Sequence, residues 1–339
     1  MGRGVEIAIG PIVASRNIPP RRFPDNGAMH LLIPFASSDA PACAQALQPL
    51  RLPHLEKLLG RLTLVDTDAG SPTSFSPPHE RALARHYGMA APDGAIAWAA
   101  REAALSGRSP HDSAWAWITP VHWEVGSDHI TMGDPRTLNL QEAESRALLA
   151  AMAPYFAQDG IALDYAAPTR WLASGAIFTS LPSASLDRVV GREISAWMPS
   201  APSLRRLQNE MQMLLYTHPV NDQRSALGQA TVNSFWVSAS GVLPPAGDPH
   251  RVARLDLADN LRDAALANDW AAWALAWTQL DLGSCKALLA HLDAGQNARL
   301  TLCGDRSALV FESTRRGWLD RLHQRLRPPT TLHSLRGQL

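Results

Sequence analysis

The sequence contains no apolar run approaching the roughly 20 residues that a membrane-spanning helix needs. It also lacks paired cysteines, because Cys43, Cys285 and Cys303 are widely separated and none has the C-x-x-C spacing of a zinc or redox site. These absences argue against a membrane protein and against a cysteine-based metal centre. We expect buried, reduced thiols in a cytoplasmic protein that makes no contact with a membrane.

The sequence also has no surplus of either positive or negative charge. Lysine and arginine together number 31, as do aspartate and glutamate. Proteins that bind nucleic acid usually carry a basic excess or a basic stripe, so we expect no nucleic-acid partner. What the chain does have is length: 339 residues exceed what one hydrophobic core usually organises, which predicts two lobes or an inserted domain.

Short apolar runs and helical patterns alternate at the two ends of the chain, which is the order of elements in an α/β fold. Strands are predicted at residues 30–35, 300–303 and 308–311, and a polar loop at 66–78. Helices with one apolar face are predicted at 52–62, 79–87, 259–280 and 318–326. The third of these carries Trp270, Trp273 and Trp277 on one stripe, which indicates a buried core or lobe interface.

Residues 90–235 have a different character, with aromatic, hairpin-like segments. Strands are expected on either side of Pro120, at 115–119 and 121–123, together with a hairpin at 161–172 and helices capped by Asn139 and at 204–217. This pattern predicts an inserted α+β lobe. The predicted division is a disordered extension (1–28, unless translation starts at Met29), an α/β core (29–89 plus 240–327), the inserted lobe (90–239) and a tail (328–339).

The most specific local pattern is a predicted helix end followed by a loop that bears His218, Asn221 and Arg224, with Asn233 just before an apolar strand. Arginine binds an anion through a fork of donors, and asparagine and histidine each add a donor, so these four residues are candidate anion ligands. The alternative is structural: the two asparagines cap backbone groups and Arg224 is solvated.

The stretch His218-Pro219-x-Asn221-x-x-Arg224 resembles the archaeal-type cofactor-independent phosphoglycerate mutases, members of the alkaline phosphatase superfamily. The Leu-Pro-x-Leu-x-x-Leu helix start at 52–58 is similar to the same family. Segments 77–80, 119–123 and 209–216 also resemble bacterial regulatory proteins of RpfE type, which look like shortened mutases. The resemblance implies an alkaline-phosphatase/phosphoglycerate-mutase-like core sheet flanked by helices, with an inserted α+β lobe.

The residues that the resemblance implies for catalysis are replaced in this chain. A metal-binding aspartate after the first strand corresponds to Pro34-Phe35-Ala36, and the serine nucleophile falls at Pro78-His79-Glu80. A Gly-Asp-His metal segment corresponds to Gly304-Asp305-Arg306, and a guanidinium cannot bind a cation. Since in-line phosphoryl transfer at such a centre relies on two cations, we expect no divalent-metal cofactor and no mutase activity.

Three functions stay open. The leading hypothesis is a mutase-like protein that has lost phosphoryl transfer and serves as a regulatory or binding protein for a small phosphorylated metabolite or a protein partner. The second is an active mutase or phosphatase-type enzyme with a remodelled centre, in which His79 is the nucleophile and Glu80 or Asp305 assists. The third is a purely structural interaction protein.

One further group, His122, Asp128 and His129, has side chains that suit zinc or manganese. The stretch has the pattern of strand and loop, and it lacks the i,i+4 spacing of helical metal motifs. A surface or hydrogen-bonded histidine cluster is therefore favoured over a metal site.

Overall fold

The computed structural model describes residues 29–108, 113–245, 255–314 and 330–339. The predicted extension 1–28 and the predicted helix at 318–326 lie outside these ranges. Strands β1 to β11 are Met29–Ile33, Thr63–Asp68, Trp115–Val121, Trp123–Val125, Ile130–Met132, Ala162–Ala167, Arg170–Ser174, Ser234–Gly241, Leu255–Leu257, Ala298–Cys303 and Ala308–Glu312. Helices α1 to α12 are Pro41–Leu47, Pro53–Arg61, Pro78–His86, Trp98–Leu105, Glu142–Gln158, Leu186–Val189, Pro202–Tyr216, Pro219–Ala226, Arg262–Leu266, Trp270–Leu280, Lys286–Asp293 and Leu332–Leu335.

A five-stranded mixed sheet forms the centre of the fold, in the order β2-β11-β10-β1-β9. β1 is parallel to β10 and β9, whereas β11 is antiparallel to β10 and to β2. The apolar side chains of β1 and β10 are buried, as expected for strands in the middle of a covered sheet. Leucines of α2 and the indoles of Trp273 and Trp277 pack in one core with these strands. The predicted α/β fold with a helix-flanked central sheet is confirmed, as is the buried position of these two tryptophans.

A second sheet, in the order β6-β7-β3-β8, is antiparallel throughout. Its β6–β7 pair confirms the hairpin predicted at 161–172. β3 continues through Pro120, which corrects the prediction that a strand ends there. The proline is tolerated because β3 pairs with β7 only as far as Ile118, so Pro120 has a strand on one side only.

Two helix predictions are also corrected. Helix α5 begins after Gln141, which forms a capping box with Glu144, whereas Asn139 ends a short 3₁₀ helix with a φ of 47°. Asparagine enters this left-handed conformation more readily than most residues. The helix predicted at 259–280 is two helices, α9 and α10, because Asn268 is also left-handed (φ 55°) and the Asp269 side chain caps a new start.

The two larger sheets use different parts of the chain. The strands of the central sheet come from 29–68 and 255–312, and those of the second sheet from 115–174 and 234–241. The predicted domain boundaries themselves stay a prediction. The three cysteines are free and buried, as expected. In the described ranges, no helix combines the length and apolarity needed to cross a membrane.

Candidate functional site

The first turn of α3 meets the short helix α6 beside the loops that follow β1 and β10. Pro77 is the N-cap of α3 and Pro78 its first residue, a position that suits the fixed φ of proline. Helix α6 begins after Ser185, whose hydroxyl accepts a hydrogen bond from the Asp187 N–H at 3.2 Å. We call His79, Glu80, Arg81, Ser185, Asp187 and Arg188 the α3–α6 cluster.

Asp187 fixes the imidazole of His79. The Nε2 and Oδ2 atoms of the pair are 3.1 Å apart, and His79 is 7% exposed. Arg262 of α9 donates to the other carboxylate oxygen, with Nε at 2.8 Å. Burial would raise the pKa of Asp187, but the hydrogen bond and charge of His79 and the charge of Arg262 outweigh it, so this pKa lies well below its usual range. Asp187 is therefore ionised at neutral pH.

Glu80 lies beside this pair, and its pKa is shifted in the opposite direction from that of Asp187. The Ser185 hydroxyl is 2.5 Å from its Oε1 atom and donates to it. Burial raises the pKa of Glu80, and the Asp187 charge adds to this, although the charge of His79 and the serine hydrogen bond oppose it. The cluster therefore holds one carboxylate that stays ionised and one carboxyl group biased towards its protonated form. Such a pair can divide acid and base roles between its members.

Arg188 is a buried guanidinium without a matching carboxylate. Its side chain donates to the Asp305 carbonyl oxygen at 2.7 Å and to the Ser74 hydroxyl at 2.8 Å, and the residue is 2% exposed. Within the described ranges its Nε–H has no acceptor, and no carboxylate lies within ion-pairing distance. Burial, followed by the charges of Arg192 and Arg81, lowers the pKa of Arg188 to about 10. Arg188 is thus a charged, incompletely paired group inside the protein.

Ser74 brings a second guanidinium to the same place. Arg81 Nη1 lies 3.4 Å from the Ser74 hydroxyl and donates to the Ser76 carbonyl oxygen at 2.7 Å, while Nε pairs with Asp68. Arg81 and Arg188 therefore converge on one hydroxyl, although Arg81 has its own carboxylate partner.

The loops after β1 and β10 close this edge of the sheet. Phe35 has a φ of 54°, which is costly for a bulky side chain, and its ring packs on the imidazole of His79 with 5.1 Å between centroids. The Asp305 carboxylate accepts hydrogen bonds from the Ser38 hydroxyl (2.8 Å) and the Asp39 N–H (2.9 Å). His79, Glu80 and Asp305 thus lie at one edge, but the Asp305 carboxylate faces the β1 loop while its carbonyl contacts the cluster.

The segment predicted as a tail packs against the same two loops. The Leu339 carbonyl oxygen accepts hydrogen bonds from the backbone N–H groups of Arg306 and Ser307, at 3.0 and 2.8 Å. Arg336 donates to the carbonyl oxygens of Ser38 and Asp39, at 3.1 and 2.9 Å. Residues 330–339 also supply Leu332, Leu335 and Leu339 to the core. They therefore help to fix the two loops.

The polar residues around α8, predicted as anion ligands, contact the backbone. Asn221 Nδ2 donates to two carbonyl oxygens at 2.7 Å, and Asn233 exchanges two hydrogen bonds with the backbone of Trp123. His218 caps α8 by accepting a hydrogen bond from the Val220 N–H at 3.2 Å, and burial lowers its pKa. These are the backbone-capping roles of the structural alternative.

Arg224 is 1% exposed, which corrects the solvated side chain of that alternative. It pairs with the Glu144 carboxylate at 2.9 Å and donates to the carbonyl oxygens of Ala230 and Leu138. Its donors are thus directed at protein acceptors. An anion site at this helix stays a prediction.

The three residues considered for a separate metal site are placed apart. His122 precedes β4 and donates through Nδ1 to the Thr231 carbonyl oxygen at 2.7 Å, whereas Asp128 and His129 pair with each other in the exposed β4–β5 turn. In the part of the chain that the structure describes, no three His, Cys, Asp or Glu side chains are grouped to share a metal ion.

The donor set at the strand ends does not fit the two-metal centre that the resemblance implies. Phe35 offers no side-chain ligand, Arg306 is a cation, and Asp305 already accepts two hydrogen bonds from the β1 loop. The buried charge of Arg188 beside Asp305 would also repel a metal ion. That the protein uses no divalent metal stays a prediction.

Arg81, which follows the 77–80 segment, was not predicted as a site residue. Five further residues of the site were not predicted from the sequence either: Ser74, Ser185, Asp187, Arg188 and Arg262. They lie in segments without a recognisable motif, and 108 positions separate Asp187 from His79 along the chain. Their importance comes from tertiary contacts, for which the sequence carries no local signal.

Comparisons with known proteins give a distant likeness of fold. No family model matches the sequence, and no curated protein matches it. The structure is similar to the cofactor-independent phosphoglycerate mutase from Thermoplasma acidophilum DSM 1728, with 15% identity, 91% of this chain and 94% of that chain covered, and a TM-score of 0.35. It is also similar to the PH0037 protein from Pyrococcus horikoshii, with 12% identity, coverage of 84% and 87%, and a TM-score of 0.40. At these values neither likeness establishes a family or an activity for this chain.

Proposed function

We propose that this chain is a binding protein for a small phosphorylated metabolite, whose phosphate group pairs with Arg188 in the α3–α6 cluster. The main support is the buried guanidinium itself, which has neutral acceptors at its terminal nitrogens and none at Nε within the described ranges. A buried charge left without its partner typically costs about 3–5 kcal/mol, so an anion that supplies the partner is strongly favoured.

The surrounding chemistry favours a phosphate group over a simple halide. The guanidinium fork matches two oxygens of one phosphate, which can accept from Nε and a terminal nitrogen together. The charges of Arg192 and Arg81 lower the pKa of Arg188, whereas the more weakly acting charges of Asp305 and Glu80 raise it. A phosphate at Arg188 would add the directly paired negative charge that these carboxylates do not supply.

We infer a regulatory or binding role for this chain in place of mutase activity. At the positions where the resemblance implies metal ligands, Asp305 keeps its carboxylate, but its Oδ2 atom is hydrogen-bonded within the β1 loop. The neighbouring Asp68 carboxylate at the end of β2 is paired with Arg81 and Arg85. Binding of a phosphorylated metabolite at Arg188 needs no metal.

Thermal denaturation with added anions tests this function. We expect 3-phosphoglycerate or inorganic phosphate to stabilise the protein, by about 2.7 kcal/mol at a concentration of about 100 Kd, beyond the effect of sodium chloride at equal ionic strength. Arg188→Gln should abolish this stabilisation. Arg146→Gln, which removes an exposed arginine paired with Glu142, should retain it.

Two results would contradict the proposal. The first is a wild-type protein that phosphate compounds do not stabilise, which would favour a purely structural interaction protein. The second is an Arg188→Gln variant that phosphate stabilises as much as it does the wild type, which would place the anion elsewhere.

A further inference from the structure

We propose that the α3–α6 cluster also transfers the bound phosphoryl group, with His79 as the nucleophile, Asp187 as the residue that positions it, and Glu80 as the proton donor. This inference rests on the proposed phosphate site at Arg188. It adds an activity, cleavage of a phosphomonoester, to the binding function.

The imidazole is held in the tautomer that a nucleophile needs. The ionised Asp187 accepts the Nε2–H of His79 at 3.1 Å, so in the neutral imidazole the lone pair is on Nδ1. Within the described ranges no group makes a hydrogen bond to Nδ1. Arg262 fixes Asp187 from the other side, and the Phe35 ring packs against the imidazole. A histidine oriented by a third group in this way is an activated nucleophile.

The anion site and the nucleophile are adjacent. Asp187, which holds the imidazole, and Arg188, which would hold the phosphate, are consecutive residues of α6. Because side chains of consecutive helix residues point in different directions, the second link between the two groups is Glu80, which follows His79 on α3 and whose charge acts on Arg188. Such fixed proximity is a main source of rate enhancement in phosphoryl transfer, where positioning and charge stabilisation do most of the work.

Glu80 follows His79 on α3 and supplies the proton. Its carboxyl group is fixed by the Ser185 hydroxyl at 2.5 Å. Burial raises its pKa, so a larger fraction stays protonated near neutral pH than for an exposed glutamate. Asp187 cannot serve as this acid because it is ionised.

The reaction balances without a further reactant besides water. The Nδ1 lone pair of His79 attacks phosphorus, the N–P bond forms and the P–O bond to the leaving alcohol breaks. The proton of Glu80 goes to the departing oxygen, and the negative charge of Asp187 stabilises the phosphoimidazolium. Water then attacks phosphorus, the N–P bond breaks, and the Glu80 carboxylate takes the proton of the water. The net change converts a phosphomonoester and water into an alcohol and phosphate.

The test uses the full chain with p-nitrophenyl phosphate. We expect nitrophenolate release and, after an alkaline quench, one added phosphoryl group that peptide mass spectrometry maps to His79. His79→Gln should lose both, whereas His333→Gln, which changes an exposed histidine of α12, should lose neither. Because the label is mapped on wild-type protein, a variant that fails to fold does not decide the outcome.

Two further variants separate positioning from acid catalysis. Asp187→Asn should lose the phosphoenzyme but keep the stabilisation by inorganic phosphate, because Arg188 is unchanged. Glu80→Gln should slow the release of phosphate from an alkyl phosphate such as glycerol 2-phosphate by about 10²–10⁴-fold, and the release of nitrophenolate by less, because an alkoxide needs a proton to leave and nitrophenolate does not. It should also remove the fall in rate at rising pH that deprotonation of Glu80 causes in the wild type.

The outcomes distinguish this inference from the binding function. Stabilisation by inorganic phosphate with no label on His79 and no nitrophenolate release would overturn the inference and leave the binding function intact. Labelling of His79 at an unchanged rate in Arg188→Gln would instead overturn the Arg188 phosphate site on which both proposals rest.

Discussion

Among the described residues, two arginines are almost completely buried, and their partners differ. Arg224 faces the Glu144 carboxylate and two backbone carbonyl oxygens. Arg188 faces a carbonyl oxygen and a hydroxyl, without a carboxylate at ion-pairing distance in the described ranges. Since a buried charge is stable when it is paired and hydrogen-bonded, Arg224 has the contacts of a structural residue and Arg188 those of a binding residue.

Substitution of Arg224 tests this contrast. Arg224→Gln leaves Glu144 and two buried carbonyl oxygens without their donor, so we expect the free energy of unfolding to fall by about 3 kcal/mol. Urea denaturation without added anion measures this. Arg146→Gln, which removes an exposed ion pair on α5 and a guanidinium over the Tyr165 ring, should change the same quantity by no more than about 1 kcal/mol. A loss at Arg224 as small as at Arg146 would refute its structural role.

At the residue scale, the sequence identifies candidate functional residues better than it identifies the residues that they contact. The two prolines mark the start of α3, because a proline-led first turn is a local signal, but His79 and Glu80 became candidates through the family resemblance. The burial of Arg188 and Arg224 depends on segments that are distant in sequence, such as Asp305 and Glu144. The sequence pattern therefore selected Arg224 as a candidate anion ligand and gave no sign of Arg188.

At the scale of elements, residues 330–339 pack closely on the turn between β10 and β11. A Cβ atom on Gly304 would lie 2.6 Å from the backbone carbonyl carbon and oxygen of Leu339, a distance that real Cβ contacts essentially never show. Only glycine fits this approach. Gly304→Ala should therefore displace the segment from the turn and release the Arg336 hydrogen bonds to the β1 loop.

The expected result of Gly304→Ala is faster amide hydrogen exchange in residues 330–339 and in the 304–307 turn, together with lower stability. Gly60→Ala is the matched control, because a Cβ there meets no atom within 4 Å and the residue lies in α2. Alanine is the better helix former, so this variant should be more stable by about 0.5–1 kcal/mol. Unchanged exchange in Gly304→Ala would show that the segment is not packed in this way.

The periodicity of apolar residues predicted most elements. It failed where a strand was polar, and where a proline was compatible both with a strand end and with an edge position in a strand. The buried strands β1 and β10 and the β6–β7 hairpin follow from apolar runs and turn residues. β2 includes residues 66–68, which were predicted as loop, because its Asp-Thr-Asp end is polar and mostly exposed. Pro120 indicated a strand end, yet β3 continues because the proline lies beyond its pairing with β7.

At the scale of the whole molecule, the site joins segments from the central sheet and from the middle of the chain. The α3–α6 contacts bring residues 79–80 to residues 185–187, and Arg188 reaches the loop after β10. The α/β class was predictable because the order of strand and helix patterns along the sequence indicates it. The composition of the site was not, because it depends on how separate segments pack together.

The pH dependence of stability is also a property of the whole fold. Near neutrality, a buried histidine makes the folded state less stable as the pH falls. His30 of β1 is buried, with its Nε2 atom 2.9 Å from the Thr301 hydroxyl oxygen. Burial, followed by the charges of Arg299 and His86, lowers the pKa of His30 well below its usual 6.5. As the pH falls below about 6.5, His30 becomes protonated in the unfolded chain but stays neutral in the folded chain. The stability that the neutral, buried His30 allows above about pH 6.5 is therefore lost as the pH falls.

We expect the contribution of His30 to decrease the free energy of unfolding by up to about 1.4 kcal/mol per pH unit as the pH falls below about 6.5. His30→Gln, which keeps a side chain able to hydrogen-bond Thr301, should flatten this slope in urea denaturation between about pH 7.5 and 5.5. His333→Gln should leave it unchanged, since His333 is exposed. Asp187 acts in a separate range, because its lowered pKa gives stability that is lost only below about pH 4. An equal slope in the wild type and in His30→Gln would mean that His30 is protonated in the folded protein, contrary to its burial.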